Sequence, residues 1–133
     1  MLRRLSCFQK RRCNLTKPMN VESVQQYCLS LKAVTEDMPF GEDTLVFRIG
    51  GKIFGLMSLN ENECRVNLKC TPDYAIELRE KYEDIIPGYH MSKKHWNTVY
   101  CERCLEDKII RELIQHSYQL VFESLSKAVR DAI

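Results

Sequence analysis

Long apolar runs are absent from this sequence of 133 residues. No stretch approaches the roughly 18 consecutive apolar residues of a membrane-spanning helix, so no membrane partner is expected. Glycine and proline are sparse, at five and four, which excludes collagen-like and low-complexity chains. There is no G-x-G-x-x-G, no phosphate-binding loop and no parallel βαβ alternation, which excludes a nucleotide-binding Rossmann enzyme. The first residues also lack the unbroken apolar segment of a secretory signal. What is there is 44% hydrophobic and 29% charged, close to a globular average and long enough for one domain with a real core. Seven cysteines, an odd number without a secretory signal, point to reduced thiols in a cytoplasmic protein.

Charge is unevenly distributed. The net charge is +2, from 20 Lys and Arg against 18 Asp and Glu. The opening MLRRLSCFQKRRCNLTKP holds Arg3, Arg4, Lys10, Arg11, Arg12 and Lys17 and no acid. Without those six, 14 basic side chains face 18 acidic ones, a net of −4. The remainder is mildly acidic, so total charge makes no case for nucleic acid. Residues 1–18 read as a basic N-terminal extension outside the fold, and residues 19–133 as a single α/β domain with Met19 its natural start. A basic arm on an anionic surface and a mitochondrial-type presequence are the other readings of the extension, given Leu2, Leu5 and Phe8 at roughly helical spacing.

Periodicity orders the rest. Asn20 is a good N-cap, and Val21, Val24, Cys28 and Leu31 follow at helical spacing, predicting a helix near 21–32. Thr35–Asp43 holds Pro39 and Gly41 and reads as a loop. DTLVFRIG and KIFGLMSL flank Gly50–Gly51, a hairpin whose turn needs two positive φ angles. After a turn at Asn60–Glu63, RVNLKC alternates as a third strand, with Arg65, Asn67 and Lys69 on one face and Val66 and Leu68 on the other. Thr71–Pro72 opens a second helix with Ala75, Leu78 and Tyr82 buried and Glu77, Arg79, Glu80, Lys81 and Glu83 wet. Pro87–Gly88 is a break, residues 95–101 a strand, and a long helix from about Glu106 carries Ile109, Ile110, Leu113, Ile114, Ser117, Leu120, Val121 and Leu125. The expected fold is α+β: two layers, an antiparallel sheet with helices on one face, in the order α-β3-α-β2-α. Such a sheet leaves its other face for solvent or a partner.

The richest stretch is GYHMSKKHWNT, residues 88–98. It sets His90, Lys93, Lys94 and His95 among Tyr89 and Trp96, where lysines can neutralise phosphates and rings can stack on bases. The plainer reading makes Tyr89 and Trp96 core residues and the lysines a solvated turn. Strand alternation then places His95 and Asn97 on the surface and the Trp96 ring inside. Arg65 and Lys69 extend the basic patch if the strands adjoin. Cys101-Glu-Arg-Cys104 is a lone CxxC; a redox thiol, or zinc shared with Cys64 and Cys70 or with His90 and His95, competes with ordinary small residues in a turn, which is preferred. His116 reads as a partly buried core histidine, and the Glu36–Asp37 and Glu42–Asp43 pairs as a solvated loop. Phe40–Gly41 reads as fixing that loop's turn. No catalytic residue, cofactor or metal site is expected.

Taken together, YCLSL at 27–31, PFGEDTLVFRIGGKIFGLMSL at 39–59, NLKC at 67–70, PGYHMSKKHWNTV at 87–99 and ELIQHSYQLV at 112–121 resemble the MmcQ/YjbR-like family from Met19 to about Ala128. The resemblance implies a small cytoplasmic protein with a fold similar to type III secretion chaperones. It also implies DNA binding, by analogy with a double-wing arrangement of strands. The basic extension and the CERC segment lie outside the family pattern, so no family role attaches to those thiols.

Two functions compete. The first is a non-catalytic DNA-binding module that grips phosphates weakly through Arg65, Lys69, Tyr89, His90, Lys93, Lys94, His95, Trp96 and Asn97. The alternative is a protein-interaction adaptor that binds a partner through the open sheet face or an edge strand. An enzyme ranks last, because no activated nucleophile or paired acid and base is visible.

Overall fold

The computed structural model describes residues 19–59, 63–88 and 91–133. The basic extension, most of the Asn60–Glu63 turn, Tyr89 and His90 lie outside the described residues. Helix α1 (Val21–Ser30) begins where the Asn20 side chain accepts the Ser23 amide at 2.9 Å. Then come β1 (Val34–Asp37), β2 (Thr44–Ile49), β3 (Lys52–Ser58), β4 (Arg65–Lys69), α2 (Pro72–Lys81), β5 (Ile85–Pro87), β6 (Trp96–Tyr100), α3 (Asp107–Ser124) and α4 (Lys127–Ala132). The strands form one antiparallel sheet in the order β1-β2-β3-β4-β6-β5.

The two-layer α+β expectation holds, with two additions. Residues 34–37 pair with β2 as an edge strand, although Thr35–Asp37 read as part of the loop marked by Pro39 and Gly41; the breakers act only after Asp37, where the strand ends. The chain also breaks at Leu125 and restarts as α4, capped by the Ser126 hydroxyl. The hairpin forms as expected, with Gly50 and Gly51 at φ +59° and +84°, a conformation that strains any residue with a Cβ. Gly41 has φ +117° and its amide reaches the Met38 carbonyl, so it does fix the loop's turn.

The core lies between the sheet and α3. Ile110, Leu113, Ile114 and Val121 are buried against Phe54, Met57, Val66, Leu68 and Val99, with Tyr118 edge-on to Phe54. Phe54 is the extra residue of a bulge, since Phe47 pairs with Gly55 while Arg48 pairs with Ile53. The fully buried Ser117 hydroxyl bridges the disturbed ladder there. It accepts from the Lys69 amide at 2.8 Å and donates to the Phe54 carbonyl at 2.5 Å. A polar group on an apolar helix stripe is thereby satisfied by the two strands it separates.

Candidate nucleic-acid interface

Strand register decides which predicted residues meet. On β4, Val66 and Leu68 are buried toward the helices while Arg65, Asn67 and Lys69 are half-buried on the opposite face. Lys69 pairs with Trp96, Asn67 with Thr98 and Arg65 with Tyr100. Cross-strand partners share a face, so Lys69 and Trp96 stand side by side away from the core. The Thr98 hydroxyl donates to Asn67 Oδ1 at 2.5 Å between the two ends. Arg65 lies at the far end of the strand, about 13 Å from Lys69 at the usual rise per residue.

The same register overturns one expectation. Asn97 is not a surface residue: it pairs with Leu68, is 2% exposed and faces the helix layer. Trp96 takes the outward position and is half-buried. Asn97 tolerates burial because both ends of its amide are partnered. Oδ1 accepts Arg79 Nε at 2.6 Å, and Nδ2 donates to the Ala75 carbonyl at 3.4 Å. Asn97 therefore leaves the candidate surface and becomes part of its support.

Lys93, Lys94 and His95 are exposed in the turn that feeds β6. That turn is anchored by Arg79 of α2, which the sequence places among the wet residues and the structure half-buries. Its Nη2 donates to the carbonyls of Lys93 and Trp96. The turn is also closed by the Trp96 amide on the Ser92 carbonyl at 2.9 Å and the Cys70 amide on the His95 carbonyl at 2.7 Å. On the other side, the Gly88 amide donates to the Trp96 carbonyl at 2.8 Å. A Cβ on Gly88 would come within 2.8 Å of the Trp96 Cβ, so only glycine lets the chain pass so close. The structure thus gathers Lys69, Lys93, Lys94, His95 and Trp96 at one end of the sheet. Arg65 stays apart, and Tyr89 and His90 lie outside the described residues. A signal for Arg79 was available: it falls four residues after Ala75, beside the buried stripe of its helix.

The other constellations are structural. Cys28, Cys64, Cys70 and Cys101 are buried free thiols. Burial pushes the Cys28 thiol up to about 12 and Cys70 to about 11, and Cys101 is raised by its contact with Cys64 and by burial. Such thiols are poor nucleophiles. Cys104 is disulfide-bonded, so the expectation of reduced thiols fails at that position. Among the described residues no three His, Cys, Asp or Glu side chains cluster as metal ligands. Nor is any described helix long and apolar enough to cross a membrane. His116 is half-buried, edge-on to Tyr74 at 5.0 Å, and its buried Nε2 has no hydrogen-bond partner. It is a core histidine, as expected.

The antiparallel sheet with helices on one face, and the sequence blocks that build it, have close counterparts. The YjbR family model matches residues 29–120. The chain belongs to the YjbR family. A similar protein, the uncharacterized protein YbdF of Escherichia coli O157:H7, is 40% identical over 106 residues, covering 80% of this chain and 87% of YbdF. YjbR of Escherichia coli K12 is 29% identical over 112 residues, 84% and 95% of the two chains. The crystal structure of DR2400 from Deinococcus radiodurans superposes with a TM-score of 0.81 at 32% identity, over 90% of this chain and 91% of that one. The family resemblance seen in the sequence is therefore correct, as is the α+β class with an antiparallel sheet and helices on one face.

Proposed function

We propose that this YjbR-family chain is a small, non-catalytic cytoplasmic protein that binds DNA weakly through its phosphates. The observation that carries the reading is the pairing of Lys69 with Trp96, beside the exposed Lys93 and Lys94. A domain of net −4 outside its first eighteen residues can hold a polyanion only where its few cations converge. Three phosphate contacts predict a log–log salt slope near −3 and dissociation constants around 10⁻⁴–10⁻⁶ M. The six basic residues of the extension add their own contribution in the full chain, so the decisive quantity is a difference. Replacing Lys93 and Lys94 by Ala should flatten the slope by roughly two units without unfolding the protein. An unchanged slope, or no binding at low salt, rejects the reading.

The alternative, a protein-interaction adaptor, draws on a different observation. Phe40 is 65% exposed and Met38 41% exposed in the loop after edge strand β1. Large apolar side chains in such a position suit a partner that covers them. Failure of the salt titration would move the assignment to that loop.

A further inference from the structure

Paired and unpaired nucleic acids offer different chemistry to Trp96. A base within a duplex keeps its faces inside the stack, whereas an unpaired base exposes a π-face that an aromatic ring can cover. Trp96 lies on the sheet face turned away from the helix layer, and no described helix stands there to enter a major groove. Its main chain is clamped on both sides by Gly88, Ser92 and Arg79, so the half-buried ring is carried on a fixed main chain and little order has to be gained on binding. The other aromatic of β6 on this face is already covered. The Arg103 guanidinium lies 3.8 Å from the Tyr100 ring centre and is itself held by Glu63. Among the described residues of this face of β6 one platform therefore remains, with Lys69 across the strand from it and Lys93 and Lys94 in the turn before it.

We infer that this surface takes a single-stranded segment, with one unpaired base stacked on Trp96 and the flanking phosphates held by Lys69 and by Lys93–Lys94. The inference rests on the nucleic-acid reading above and narrows it. Its test is built into the composition, because Trp96 is the one tryptophan of the chain. Its emission reports contact at the platform, separately from binding by the basic extension. The full chain is titrated at low salt with an oligothymidylate of about eight nucleotides, a blunt duplex of equal phosphate count, and inorganic polyphosphate. The single strand should quench the emission and bind about tenfold more tightly than the duplex. Polyphosphate should bind without quenching. Trp96→Leu should cost about tenfold for a labelled single strand and leave polyphosphate unaffected. Should that variant not fold, Lys69→Gln serves: it should weaken all three ligands while the single strand still quenches at saturation. Equal binding of duplex and single strand, or saturation with unchanged emission, overturns the single-strand inference and leaves the phosphate reading standing. Absence of binding by all three ligands overturns both.

Discussion

The Lys69 amide donates to the Ser117 hydroxyl at 2.8 Å, joining the outward-facing β4 to the long helix behind the sheet. One hydroxyl serves two strands, because Ser117 also donates to the Phe54 carbonyl. Ser117→Ala would leave a buried amide and a buried carbonyl without partners. The expected loss is about 2–4 kcal/mol, read as a lower denaturant midpoint. A loss below about 0.5 kcal/mol, the range of a neutral surface change, would show that the strands close the gap unaided.

The hairpin glycines should respond unequally to the same substitution. Both have positive φ, so alanine at either costs about 1–2 kcal/mol in backbone strain. Around Gly51 nothing lies within 4 Å of an added Cβ, whereas at Gly50 it would approach Leu125 at 2.6 and 2.9 Å. Gly50→Ala should therefore be the more damaging, by about 1 kcal/mol of crowding. Equal thermal shifts would mean that Leu125 moves aside freely.

Stability should fall as the solution is acidified through the histidine range. Burial holds His116 below its usual 6.5, so the unfolded chain binds more protons than the folded one between the two values. Stability then rises with pH across that window, is complete above about 6.5, and is lost as pH drops toward the folded value. His116→Leu should remove this slope while leaving the carboxylate-driven loss at lower pH. An identical pH profile in the variant would assign the slope to another group.

Local pattern makes much of the fold legible in the sequence alone. RVNLK alternates so cleanly that both faces of β4 follow from it, and Gly50–Gly51 admits little except a tight hairpin. The reversal at Trp96 and Asn97 has a different origin. Which side of β6 meets the helices depends on its register with β4, a long-range pairing that alternation within five residues does not encode. Polarity also misled: Asn97 and Arg79 look solvated one at a time, yet together they satisfy each other inside. The candidate surface was legible as a cluster of residue types, and its composition changed only once partners across the sheet were known.

The two ends of the sheet govern how this protein meets copies of itself. Strand β1 spans only four residues and presents Glu36 and Asp37 at the rim. Strand β5 has three residues and finishes in Pro87, which has no amide hydrogen to offer a neighbour. Short length, like charge and proline are each recognised guards against edge-to-edge association. A second molecule docking by strand addition would find only a short rim at one end, with Asp37 already paired to Arg48 at 2.9 Å, and meet a missing donor at the other. Concentrated solutions near neutral pH should therefore resist fibrous aggregation.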